Sequence, residues 1–250
     1  MSTKTNTVIV TGASAGLGLA IAKAFLLQGS NLVINSASED RLALAEQELN
    51  EPDRVLAIAG DISRSAVSSE LVRLAKETFG SVDVLVNNAG LFSPKPFLEV
   101  DETDLDSYLS VNLKGTYYSS QAAIKEMVRQ GGGSIINVGT VITGHAIGGF
   151  PATAPIISKG GIHALTMSLA AEFGKDNIRV NTIAPGVIRT PIHVRNGIDD
   201  IDAFAGLHLL NRIGEPEDIA DAAVYLAKAN FVTGHILNVD GGHTAGHHLG

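Results

Sequence analysis

The feature that most restricts the fold is a glycine-rich turn where a β-branched run gives way to a helical pattern. Thr7–Thr11 leads into Thr11-Gly12-Ala13-Ser14-Ala15-Gly16-Leu17-Gly18. A helical pattern over Gly18–Gln28 follows, with Ile21, Ala24, Phe25 and Gln28 at helical spacing. Glycine lets a backbone turn sharply and approach a bound group, and the first N–H groups of a helix have no partner inside it. Such a turn suits a pyrophosphate held against the helix N-terminus. The spacing is G-x-x-x-G-x-G and no Gly-Lys-Ser/Thr follows, which excludes a nucleoside-triphosphate P-loop. The alternative is a strand-to-helix turn that binds nothing.

The alternation continues along the chain. Short β-branched runs recur at Leu32–Asn35, Val55–Ala59, Val82–Asn87, Ser134–Val138, Ile178–Ile183 and Ile236–Val239. They are nearly continuous in apolar character, as expected of strands buried on both faces. Helical patterns lie between them at Asp40–Leu49, Ala66–Phe79, Asp104–Arg129, Ile156–Phe173 and Glu217–Ala227. This rhythm implies an α/β fold, a parallel sheet with helices on both faces, and right-handed crossovers make it doubly wound. Seven strands use the whole chain, so residues 1–250 read as one domain. The exception is Thr190–Asn211, which carries Pro191 and Gly197 and reads as an irregular lid over the ligand crevice.

Composition closes several functional classes. A chain 45% hydrophobic and 18% charged can fill a packed core. It has no cysteine, so disulfides, zinc-thiolate sites, iron–sulfur clusters and cysteine nucleophiles are excluded. A net charge of −8 without a dense Lys/Arg run argues against nucleic-acid binding. Val8–Val10 is too short for a signal-peptide core, and no apolar run approaches the ~18 residues of a membrane span. A soluble, cytoplasmic protein without membrane contact is the expectation.

Further motifs sit at the ends of the later strands. They are Gly60-Asp61-Ile62, Asn87-Asn88-Ala89-Gly90, Val111-Asn112-Leu113-Lys114-Gly115, Ser158-Lys159, Pro185-Gly186 and Val239-Asp240-Gly241-Gly242. In this order, over roughly Thr7 to Gly242, the chain resembles the short-chain dehydrogenase/reductase family. The resemblance implies a Rossmann-type sheet of seven parallel strands, a nicotinamide cofactor across the strand ends, and a homotetramer. It implies that Gly12, Gly16 and Gly18 line the pyrophosphate, with Ser14 and Leu17 in the same turn. Asp61 and Ile62 would flank the adenine. Asn88, Ala89 and Gly90 would line the adenosine ribose side. Pro185, Gly186, Ile188 and Thr190 would border the nicotinamide. Lys159 would hold the nicotinamide ribose, and Asn112 would anchor a water in the proton relay.

The pattern breaks at the family's Tyr-x-x-x-Lys signature, which here reads Pro155-Ile156-Ile157-Ser158-Lys159. Proline has no proton to exchange, yet it is tolerated in a first helical turn. The family serine after the fifth strand is replaced by Thr140, with Thr143 as second choice, and the stretch to Pro155 is about two residues longer than the family norm. A general acid is worth roughly 10²–10⁴ in rate, so another group must act if the chain is catalytic. His145, beside the site, is the first candidate, then His193, and Lys159 through water. His243, His247 and His248 lie at the C-terminus, which in tetrameric family members can approach a neighbouring subunit's site. No ordered metal framework is expected from them. Tyr117 and Tyr118 read as packing residues.

For the cofactor, Ser36 stands where an acidic residue would accept the ribose hydroxyls of NAD and repel the NADP phosphate. Ser36 and Ser38 can donate to a phosphate, and Arg41 is the nearest base. NADP(H) is therefore favoured over NAD(H). The expected function is an NADP(H)-dependent oxidoreductase of a carbonyl or alcohol, with an altered proton donor. The alternatives are a catalytically impaired nicotinamide-binding sensor or partner subunit, and a lyase or isomerase without net hydride transfer. The substrate is not legible.

Overall fold

The computed structural model describes residues 5–249. Seven strands form one sheet in the order β3-β2-β1-β4-β5-β6-β7. They are β1 (Thr7–Thr11), β2 (Asn31–Ser36), β3 (Val55–Ala59), β4 (Val84–Asn87), β5 (Gly133–Val138), β6 (Ile178–Pro185) and β7 (Ile236–Val239). Every pairing is parallel. The order reverses between β1 and β4, and a crevice at such a switch point is where open α/β sheets take ligands.

Strand side chains alternate between two cores. Val8 and Val10 of β1 face one cluster and Ile9 the other, and in β2 Leu32 and Ile34 oppose Val33. The first cluster is covered by α1 (Gly16–Leu27), α2 (Glu39–Leu49) and, later in the chain, the helix Pro216–Lys228. The second is covered by α3 (Ser65–Phe79) and the helices Gly115–Gln130 and Thr153–Phe173. This is the doubly wound, Rossmann-type arrangement, and its near-continuous apolar strands are the consequence of burial on both sides.

The helix expected over Asp104–Arg129 is three pieces: α4 (Glu102–Tyr108), a π-helical stretch Leu109–Lys114, and α5 (Gly115–Gln130). A π turn marks an inserted residue and commonly lies at a functional site; Asn112 is inside this one. The helix of Lys159, α6 (Thr153–Phe173), begins three residues before the sequence pattern does, so Lys159 stands in its second turn. Pro155 is the third residue of α6 and buried, where its missing N–H has no intrahelical role. Thr190–Asn211 is less irregular than the sequence suggests. It contains α7 (Pro191–Arg195) and a 3-10 stretch Ile201–Leu207, followed by α8 (Pro216–Lys228). Arg189 pins it by ion pairs to Asp202 at 2.5 Å and Glu215 at 3.1 Å.

Candidate active site

The glycine turn is built to stay open. Gly12 has φ +66, and a side chain there would lie 2.7 Å from the Ala89 Cα; at Gly18 it would lie 2.3 Å from the Gly12 carbonyl oxygen. Asn88 clamps the turn by donating from Nδ2 to the carbonyls of Thr11 and Gly12, each at 3.0 Å. Its amide donors are thus spent on the turn. Thr11 Oγ1 accepts the N–H groups of Asn88 and Ala89, each at 3.1 Å. The N-terminus of α1 has no side-chain cap and no acidic residue in its first turn. Unpartnered N–H groups without a competing carboxylate fit a dinucleotide pyrophosphate.

At the end of β2, Ser36 is buried and donates to Ser14 Oγ at 2.9 Å, while its own oxygen accepts the Ser38 N–H at 3.3 Å. Ser38 caps α2 through the Arg41 N–H at 3.4 Å. Arg41 is exposed, and so are Glu39 and Asp40 in the same turn. Asp61 is exposed and accepts the Ser63 N–H at 2.9 Å. Ile62 turns inward onto Gly115, so its side chain serves the core.

A cavity of about 450 Å³ lies beyond the C-terminal ends of β4, β5 and β6. Its lining includes Leu17, Gly90, Thr140 and Lys159, then Pro185, Gly186, Ile188 and Thr190, and Phe204 and Leu207 of the covering segment. Thr190 and Pro191 also approach Gly16, where a side chain would meet them at 3.5 Å. The covering segment thus starts against the glycine turn. Asn196 donates from Nδ2 to the Phe92 carbonyl at 2.9 Å and latches that segment to the loop after β4.

Lys159 is 7% exposed and donates to the Val138 carbonyl at 2.7 Å. Burial without a carboxylate partner pushes its amine down to about 8. Gly90 lies between it and Asn112: a side chain at Gly90 would sit 3.2 Å from both Lys159 Nζ and Asn112 Oδ1. Asn112 is fully engaged. Its Oδ1 accepts the Leu91 N–H at 2.7 Å, its Nδ2 donates to the Leu91 carbonyl and Ser158 Oγ at 2.9 Å, and its own carbonyl accepts from Thr116 at 2.7 Å. It holds the loop beside Lys159 in place.

The two threonines separate clearly. Thr140 lines the cavity, and its side chain makes no bond to the 3-10 turn it begins. Thr143 donates to the Thr140 carbonyl at 2.9 Å and pairs with His163 Nδ1 at 3.0 Å, so its hydroxyl is occupied. Beneath them, Asn87, Asn137, Thr166 and Thr182 form a buried chain of hydrogen bonds that ties β4, β5, α6 and β6 together.

The histidines are placed differently from the sequence reading. His145 is exposed and does not line the cavity. His193 does, but its Nε2 is bonded to the Ile188 carbonyl at 2.8 Å, and burial holds its ring below the ordinary histidine range. His243 lies on the wall of its own chain's cavity. His247 is exposed, and His248 pairs with the His208 carbonyl at 3.2 Å. His208, missed by sequence reasoning, is 1% exposed and adjoins Gly186. Pro155 does not line the cavity, which the longer loop walls with Ile147 and Phe150. Tyr117 is exposed, edge-on to Tyr118 at 6.1 Å, so only Tyr118 is partly packed.

A separate groove of about 590 Å³ between α3 and α5 is lined by Tyr118 but by none of the expected catalytic or cofactor residues; its charges include the Lys76–Glu126 ion pair. Among the described residues no His, Asp or Glu cluster could hold a metal ion, and no helix is long and apolar enough to cross a membrane.

The family model described as enoyl-(acyl carrier protein) reductase matches residues 12–244. The chain is 36% identical over 249 residues to a 3alpha-hydroxysteroid dehydrogenase of Mediterraneibacter gnavus, covering 96% of this chain and 98% of the relative. It is 39% identical over 245 residues to an L-rhamnose 1-dehydrogenase (NAD(P)(+)) of Sphingomonas sp., covering 94% and 95%. A crystal structure described as a short-chain alcohol dehydrogenase from Sinorhizobium meliloti superposes with a TM-score of 0.88 at 34% identity, covering 96% of both chains.

Proposed function

Because the chain belongs to the short-chain dehydrogenase/reductase family and is an oxidoreductase of the carbonyl/alcohol type, we propose that it interconverts an apolar secondary alcohol and its ketone with NADP(H). The observation that carries this reading is the buried Lys159, which lines a cavity together with Gly90, Thr140 and Gly186. When bound, the nicotinamide supplies the hydride acceptor or donor. Gly12, Gly16 and Gly18 with the first turn of α1 would hold its pyrophosphate, and Lys159 its ribose. Thr140 is free to donate to the substrate oxygen and orient it. The Lys159 ammonium, present below about pH 8, stabilises negative charge developing on that oxygen.

The preference for NADP(H) is supported by the lack of an acidic residue at the end of β2, where Ser36 stands, and by the exposed Arg41 nearby. Substrate class is supported by the lining: Phe92, Ile142, Phe150, Ile192, Phe204 and Leu207 are apolar, and no Asp or Glu lines the cavity. Residues 1–250 act as one domain, with 190–211 as its lid. Exposed Tyr117 on α5, and Ile157 and Met167 on α6, favour association through these helices, in line with a homotetramer.

A fluorescence titration with NADPH, and NADH as comparator, tests the cofactor reading; a panel of apolar secondary alcohols and ketones tests the reaction. Saturable binding that is tighter for NADPH, with turnover, is expected. Cofactor binding without turnover on any member of the panel would favour the sensor or partner-subunit reading, which Pro155 motivates. Absence of binding at millimolar nucleotide would remove both.

A further inference from the structure

The cavity holds few groups that can exchange a proton with a bound oxygen: Thr140, Lys159, Thr190, His193 and His243. Lys159 Nζ donates to the Val138 carbonyl and serves as a positive charge, and His193 donates from Nε2 to the Ile188 carbonyl, which leaves its Nδ1 but sets no second imidazole beside it. A threonine hydroxyl is too weak an acid or base for the role at neutral pH. His243 differs from all of these. It is 5% exposed, and its Nδ1 is buried with no hydrogen-bond partner. A buried polar atom without a partner is costly and needs a reason.

Its surroundings supply one. The His243 ring stands edge-on to His145, with centroids 5.3 Å apart, and edge-on to His208 at 5.6 Å. His208 accepts the Val187 N–H on Nε2 at 3.2 Å, so its proton is on Nδ1. It also abuts Gly186, where a side chain would lie 3.0 Å from His208 Nε2. His145 belongs to the loop that leaves Thr140 and is exposed. His243 therefore bridges the Thr140 loop and the Gly186 turn, and an imidazole row runs from the cavity wall to solvent. The backbone around it is fixed by Asp240, which accepts the N–H groups of Gly242 at 3.0 Å and Thr244 at 2.9 Å.

We propose that His243 is the catalytic base for alcohol oxidation and that His145 passes its proton to solvent. The alcohol O–H bond breaks and its proton goes to a His243 ring nitrogen. The electron pair left on oxygen forms the second C–O bond. The carbon's hydrogen leaves with its bonding pair to the oxidised nicotinamide. This assignment rests on the oxidoreductase reading above. The titratable groups facing the ring are His145, His208 and Asp240. Burial first, then His208 and His145, hold His243 below the ordinary histidine range, against the attraction of Asp240. The ring is thus neutral, in its basic form, at pH 7.

The test compares the wild type with His243→Gln on the alcohol panel with NADP. At pH 7 the variant should lose roughly 10²–10⁴-fold in kcat. Its affinity for NADPH should be retained, and the fall in kcat/KM expected of the wild type on acidification should be absent from the variant. His145→Ala should slow turnover in dilute buffer only, with recovery in concentrated buffer. A His243→Gln enzyme with wild-type kcat and an intact acid limb overturns the assignment and leaves the oxidoreductase reading standing. A wild type inactive on every alcohol and ketone overturns that reading instead. A readout without turnover is ¹⁵N-histidine NMR of the cofactor-free protein. His243 should titrate below free histidine and shift when an apolar alcohol is added. A ring that titrates at or above the ordinary value, or ignores the alcohol, refutes the proposal even if the variants fold poorly.

Discussion

Replacing Lys159 with methionine should stabilise the fold at neutral pH while abolishing turnover. Burial lowers the folded-state pKa from the ordinary lysine value of 10.5 to about 8. Between those values the unfolded chain holds a proton that the folded chain has released, so wild-type stability rises with pH there. Below about pH 8 the full cost of burying the charge is present; above 10.5 it is gone. At ~1.4 kcal/mol per pH unit this cost is about 3 kcal/mol. Methionine fills much of the same space without the charge but leaves the Val138 carbonyl, now bonded at 2.7 Å, without its donor. That loss is worth about 1 kcal/mol. The net expectation at pH 7 is a gain of about 2 kcal/mol, or about 4–8 °C in Tm for a chain of this size. Urea unfolding from pH 6 to pH 10.5 is the assay. The wild-type curve should climb above pH 8, the variant should stay flat, and the two should cross before pH 10.5. A variant less stable than the wild type at pH 7, or two parallel curves, would refute the reasoning.

Other outcomes follow from the same geometry. Gly18→Ala places a methyl group 2.3 Å from the Gly12 carbonyl oxygen. It should weaken NADPH binding more than about tenfold by fluorescence titration, and unchanged affinity would show that the turn does not hold the cofactor. Asn112→Leu leaves the Leu91 N–H and carbonyl without the partners they have now. It should cost about 2–3 kcal/mol in denaturant unfolding and lower turnover by releasing the loop beside Lys159. Pro155→Tyr inserts a ring at a buried position that does not line the cavity. About 1–3 kcal/mol of overpacking without gained activity is expected, whereas new turnover at unchanged stability would mean that the phenol reaches the cavity.

Strand and helix identities were legible because they follow from local pattern. β1, β3 and β7 begin and end where the apolar runs do. The helix before β5 was not legible as three pieces, because a π insertion leaves the apolar period nearly unchanged and is decided by Asn112 bonding to Leu91 and Ser158. The order within Thr190–Asn211 escaped for a similar reason: Arg189 and Asn196 fix it through partners distant in sequence. Thr140 and Lys159 enter through the family resemblance, and both line the cavity. The histidines were not legible. Proximity in sequence favoured His145, but a strand end and a C-terminal turn meeting in space bring His243 to the wall.

What the sequence determined by itself is the framework. Apolar runs of strand length separated by helical periods, with glycines at the first junction, can bury their surface in few ways, and the doubly wound sheet is the one that also frees a helix N-terminus at the switch point. What only the tertiary structure decided is which side chains remain free to act. Thr143, Asn88, Asn112 and Ile62 are engaged by hydrogen bonds or packing, while Thr140 and His243 line the cavity, and His243 keeps an Nδ1 without a partner. A polar group can act only through the donors and acceptors that its neighbours leave unsatisfied, and those neighbours come from elements that the sequence keeps far apart.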